Sequence, residues 1–95
     1  DRFGPDRAKE LGLINWVVPR ADLEAETAKL AKRLANGPTH AYANAKKLYN
    51  QVHHLTMESQ LQMEGELIAD SMTTEDFNEG VSAFMEKRKA AFKGR

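Results

Sequence analysis

No cysteine occurs among the 95 residues. That excludes disulfides, a thiol nucleophile and any Cys-ligated metal. It fits a reducing compartment, and a cytoplasmic location is the expectation. No apolar run approaches the ~20 residues of a membrane span, and no signal peptide is visible. Net charge is missing as well: 14 basic side chains balance 14 acidic ones, so no global field points to a nucleic-acid partner. No glycine-rich loop is spaced to cradle a phosphate, and no G-x-S-x-G frames a serine nucleophile. The chain opens on "DRFGPDRAKE", without an initiator Met or a leader-like stretch. A piece of a longer polypeptide is the expectation.

Positive charge is absent over one long stretch. No Lys or Arg lies between Lys47 and Lys87, where Glu58, Glu64, Glu66, Asp70, Glu75, Asp76 and Glu79 gather. Lys87, Arg88, Lys89, Lys93 and Arg95 then crowd the end. Acids before bases along one helix suit the helix dipole. A phosphate-bearing partner for the tail is the sharper alternative.

What is present is mostly helical. Pro5 suits a first helical turn and Gly12 a C-terminal cap. "LINWVV", Leu13 to Val18, is the only strand-like run, stopped by Pro19. One strand cannot satisfy its own ladder, so it needs a partner elsewhere. A second helix starts near Asp22 and runs to about Asn36, with Leu23, Thr27, Leu30 and Leu34 in one stripe. Gly37 and Pro38 separate it from a third, about Pro38 to Leu55, lined by Ala41, Ala45, Leu48, Val52 and Leu55. Thr56 caps a fourth, Met57 to about Ser71, with the stripe Met57, Leu61, Glu64, Ile68. "TTED" suggests a capping box, Thr73 with Asp76, before a last helix from Asp76 to Arg95. That helix carries Phe77, Val81, Phe84, Arg88 and Phe92 near one face. The fold class is therefore mainly α, about five short-to-medium helices with one orphan strand-like segment. Residues 1–95 form a single helical segment: 1–19 a short helix plus strand-like linker, 20–95 a helical bundle.

Few residues invite a chemical role. His53 and His54 are adjacent and point about 100° apart on a helix, so they cannot chelate one metal together. His40 stands alone. Surface or cap roles suit all three. Glu64 in an apolar row reads first as a boundary or paired carboxylate, and second as a polar contact across an interface. Glu64 and Glu66, two apart, do not face each other, so no acid/base pair forms. The expected catalytic and metal sites are none. Phe84 and Lys87, three apart, neighbour each other on a helix, and Arg88 is four from Phe84. An aromatic face beside cations can stack a planar base and hold a phosphate. On spacing alone, a core Phe84 and a solvated Lys87 are the preferred reading.

Three stretches shift that balance: "AKELGLINWVVP", "LAKRLANGP" and "DFNEGVSAFMEKRKAAFKGR". In this order and spacing they resemble the C-terminal part of the crotonase family, the enoyl-CoA hydratases and isomerases. The resemblance runs from about Arg7 to Arg95. It implies an upstream core that binds acyl-CoA and holds the thioester in an oxyanion hole of two backbone N–H groups. Two glutamates there serve hydratase chemistry, and none of the family's catalytic residues matches a position here. The resemblance also implies C-terminal helices that cover the active site and build trimers, often paired into hexamers. Ala83, Phe84, Glu86 and Lys87 match the family's "AF-x-EK" stretch, whose Phe and Lys approach the CoA nucleotide of a neighbouring subunit. Phe84 and Lys87 are thus the expected CoA-binding residues, with Arg88 structural.

Expected partners are therefore acyl-CoA, the chain's own upstream core and a homo-oligomer, trimer or hexamer. The CoA thioester is a substrate, and no covalently bound cofactor is implied. The alternative from another class is a free-standing helical protein-interaction module. It should pair or bury "LINWVV" internally, whereas a segment of an enzyme should leave apolar surface exposed. A small acyl-CoA carrier is weaker, since no motif encloses a ligand pocket.

Overall fold

The computed structural model describes residues 2–95. Its elements are α1 (Pro5–Glu10), a 3-10 turn (Arg20–Asp22), α2 (Leu23–Ala35), α3 (Thr39–Gln51), α4 (Met57–Met72) and α5 (Glu75–Met85). The mainly helical expectation holds, with five α-helices among the described residues. Among the described residues no strand forms. The chain divides into two units, Asp1–Ala31 and Lys32–Arg95.

In the first unit α1 begins at Pro5, in a position where a missing N–H costs nothing. It ends in a Schellman motif. The Gly12 N–H reaches the Lys9 carbonyl at 3.0 Å and the Leu13 N–H the Ala8 carbonyl at 2.9 Å. Gly12 takes φ +72° at that turn. Leu13 to Val18 then runs without a ladder partner, and Leu13 and Trp16 stay 64% and 62% exposed. β propensity alone does not make a strand where no edge offers hydrogen bonds. Asp22, near which the second helix is expected to start, lies inside the 3-10 turn that leads into α2.

The second unit packs α3 on α4 and α4 on α5. Gly37, buried, opens α3 because the Tyr42 ring occupies the space a Cβ would need. α3 stops at Gln51, short of the expected Leu55, and residues 52–54 form a turn. Thr56 caps α4 as expected, its hydroxyl accepting from the Ser59 N–H at 3.2 Å.

The inner face of α4 is not the expected one. Met57, Leu61 and Ile68 are 75%, 59% and 53% exposed, and Glu64 is exposed beside them. Half-buried Gln60, Met63, Leu67 and Ser71 turn inward instead. That row is joined to α3 by polar groups. Buried Asn44 lies 2.8 Å from the Asp70 carboxylate and 3.1 Å from Ser71 Oγ through its amide nitrogen, and 3.3 Å from the Leu67 carbonyl. His40 Nε2 meets the same Asp70 oxygen at 2.6 Å. Ala83 is the one buried apolar side chain among the described residues. Most large apolar side chains therefore keep faces that no part of the described chain covers.

Candidate functional site

The site is built on α5 and the tail behind it. Thr74, not Thr73, caps α5, accepting from the Phe77 N–H at 3.1 Å. Asp76, expected in the capping box, serves another purpose. The helix does not run to Arg95. It stops at Met85, and the chain turns back along it.

The reversal is a second Schellman motif. The Lys87 N–H donates to the Phe84 carbonyl at 3.2 Å and the Arg88 N–H to the Ala83 carbonyl at 3.0 Å. In α1 the left-handed position of this motif is Gly12. Here it is Lys87, with φ +55°, the one non-glycine residue in that region among those described. A side chain there costs about 1–2 kcal/mol.

Two carboxylates of α5 then hold the returning tail. Glu79 is gripped by the Arg88 guanidinium at both oxygens, 2.6 and 2.9 Å, and also accepts from the Ala91 N–H at 2.8 Å. Arg88 Nε reaches Glu86 at 2.5 Å. Asp76, 3% exposed, accepts from the Lys93 and Gly94 N–H groups at 2.6 and 2.8 Å. Its own N–H donates to the Arg95 carbonyl at 3.0 Å. These bonds satisfy tail N–H groups that would otherwise bond within a helix, which is why the extended return replaces the expected last turns. Gly94, φ +77°, sits so close to Thr39 that a Cβ would come within 2.5 Å of its hydroxyl. Burial alternates along the tail: Ala90, Phe92 and Gly94 are half-buried, while Lys89, Ala91, Lys93 and Arg95 are exposed.

The charges sort accordingly. The Arg88 bonds are the main cause that holds the Glu79 carboxyl down at about 2, with the Ala91 amide next. The same bonds to Glu79, then to Glu86, raise Arg88 further above its usual range. Lys93 and Arg95 share Glu75 at 3.9 and 3.2 Å. Lys87 and Lys89 are the tail cations with no carboxylate partner among the described residues.

Phe84 is 82% exposed, so it is not a core residue, and Lys87 follows it within the same turn. Arg88 is not beside them on a helix face; it is turned back to Glu79. Phe92 is not on α5 either. Its ring covers Gly80, 3.6 Å from where a Cβ would stand. An open apolar groove of about 370 Å³ runs past Pro38, Ala41, Phe77, Gly80 and Phe92 to Phe84.

His53 and His54 lie in the turn after α3, and no group of three or more His, Asp or Glu among the described residues could hold a metal. Glu66 is engaged by Gln62 at 3.1 Å. Asp76 and Glu79 are the organising residues that sequence reasoning missed. Asp76 accepts backbone amides 17 and 18 residues on, and Glu79 pairs with Arg88 nine residues on, separations no helical period reveals.

The model of the enoyl-CoA hydratase/isomerase family matches residues 1–95. The chain belongs to that family. It is 37% identical over 95 residues to a "probable enoyl-CoA hydratase" of Rhodobacter capsulatus, covering all of this chain and 37% of the relative. To the mitochondrial enoyl-CoA hydratase of Pongo abelii it is 33% identical, over 98% of this chain and 32% of the relative. The crystal structure of enoyl-CoA hydratase from Bacillus anthracis superposes with a TM-score of 0.86 at 33% identity, covering 96% of this chain and 35% of that one. The chain thus spans about a third of the length of the family members it matches. No described helix is long and apolar enough to cross a membrane.

Proposed function

We propose that this chain is the C-terminal helical segment of an enoyl-CoA hydratase/isomerase acting on acyl-CoA thioesters. Its roles are lid, oligomerisation surface in a trimer or hexamer, and auxiliary CoA contact. The catalytic groups belong to the upstream core.

One observation carries the CoA contact. Lys87 occupies a backbone position that favours glycine, beside an almost fully exposed Phe84. A lysine kept where glycine fits better is a side chain in use. Phe84 offers a face for a planar base, and the unpaired ammonium of Lys87 suits a phosphate. The uncovered apolar row of α4, Met57, Leu61 and Ile68, supports the lid and oligomer roles, because such surface needs a partner in water. The unpaired "LINWVV", with Leu13 to Trp16 exposed, favours this reading over a free-standing module, which would have buried or paired it.

The test uses the full-length enzyme with Phe84→Ala and Lys87→Ala together. A raised KM for the CoA thioester with little change in melting temperature is expected. An unchanged KM with a collapsed melting temperature would make both residues structural.

A further inference from the structure

Lys87 could sample many directions on an exposed turn, yet its neighbours on both sides are fixed. Glu86 and Arg88 are bonded to each other across it. Arg88 is locked to Glu79 through a two-pronged grip, and the same carboxylate holds the Ala91 amide. The left-handed turn at residue 87 is thus tied on its helix side by the Phe84 and Ala83 carbonyls and on its tail side by Glu79. A guanidinium fork fixes orientation as well as distance, which a lysine in its place could not do.

We infer that Glu79 and Arg88 are positioning residues that hold the Lys87 turn against the nucleotide end of CoA. This rests on the CoA contact proposed for Phe84 and Lys87. Neither Glu79 nor Arg88 needs to touch the ligand. The grip holds the turn in its left-handed form before the ligand arrives, so ordering that segment does not weaken binding. It also removes the positive charge of Arg88 from competition, leaving Lys87 and Lys89 as the free cations of the turn.

The experiment compares two substrates of the full-length enzyme: an enoyl-CoA and the matching enoyl-pantetheine thioester, which lacks the nucleotide. Glu79→Gln should raise the KM for the CoA thioester roughly three- to tenfold with kcat nearly unchanged, and leave kcat/KM for the pantetheine thioester alone. Arg88→Lys, which keeps the charge and loses the fork, should do the same to a smaller degree and serves if Glu79→Gln folds poorly. In a Lys87→Ala background, Glu79→Gln should add no further loss on the CoA thioester. Equal losses on both substrates, or losses that add to that of Lys87→Ala, would overturn the positioning role while leaving the CoA contact standing. Should Lys87→Ala itself not discriminate between the two substrates, the contact fails, and the positioning role fails with it.

Discussion

Glu79 and Arg88 meet across nine residues, the guanidinium gripping both carboxylate oxygens at 2.6 and 2.9 Å. One pair thereby converts what looks like the end of a long helix into a helix, a turn and a returning tail. The chain distal to Met85, including the lysine proposed to meet CoA, is placed by that pair together with Asp76 and the Ala83 and Phe84 carbonyls.

The pair sets an acid limit. Arg88 and then the Ala91 amide hold the Glu79 carboxyl at about 2, against an ordinary 4.5. A depressed carboxyl contributes stability that is fully present above its unfolded value and lost as pH falls toward its folded one. The melting-temperature gap between wild type and Glu79→Gln should therefore be flat from neutral pH down to about 5 and narrow between 4.5 and 2. Asp70, lowered by its bonds to His40 and Asn44, adds a loss in the acid range that both proteins share. A gap that persists unchanged at pH 2.5 would show that Glu79 acts through packing, not charge.

The helices were legible in sequence because their punctuation is local. Pro5, Gly12, the Gly37–Pro38 break and Thr56 each act within a few residues of where they stand. The faces were less legible. The apolar row Met57, Leu61, Ile68 is real, but it points outward, and polar Asn44, Gln60 and Ser71 face inward. Periodicity assigns an apolar row to the inside, and it cannot tell that no part of the described chain covers this one. The tail was misread for a different reason. "EKRKAAFK" has good helix formers, and only long-range acceptors at Asp76 and Glu79 make the extended return better. The pair Phe84 and Lys87 was read from family resemblance; Lys87's left-handed backbone could be seen only in the structure.

Gly37 should resist substitution. A Cβ there would come within 2.7 Å of two ring carbons of Tyr42, so Gly37→Ala must push the ring outward or shift the start of α3. Tyr42 is 44% exposed, which allows some relief, and a loss of about 1–2 kcal/mol is expected from overpacking. Chemical denaturation of the single variant and of Gly37→Ala with Tyr42→Ala checks this. The second change should remove most of the clash penalty; strictly additive losses would locate the cost in the backbone instead.

The chain by itself should not hydrate a short enoyl-CoA. In the proposed division of labour, the oxyanion donors that would carry much of the rate lie in the upstream core. Absorbance of the enoyl thioester should stay constant when the purified 95-residue chain is added. Saturable turnover, retained through repurification, would place catalytic groups within these helices and remove the proposed division of labour.

Lys87 allows backbone and side chain to be separated. Lys87→Gly and Lys87→Ala both delete the ammonium, but only glycine relieves φ +55°. The glycine variant should be the more stable of the two by up to about 1 kcal/mol, the left-handed penalty offset in part by glycine's larger unfolded-state entropy. Affinity for the CoA thioester should nevertheless fall in both, because the lost charge is common to them. A glycine variant that binds as well as wild type would mean that the turn, and not its lysine, is what the ligand meets. In that case the strain at residue 87 would have no functional explanation in the side chain.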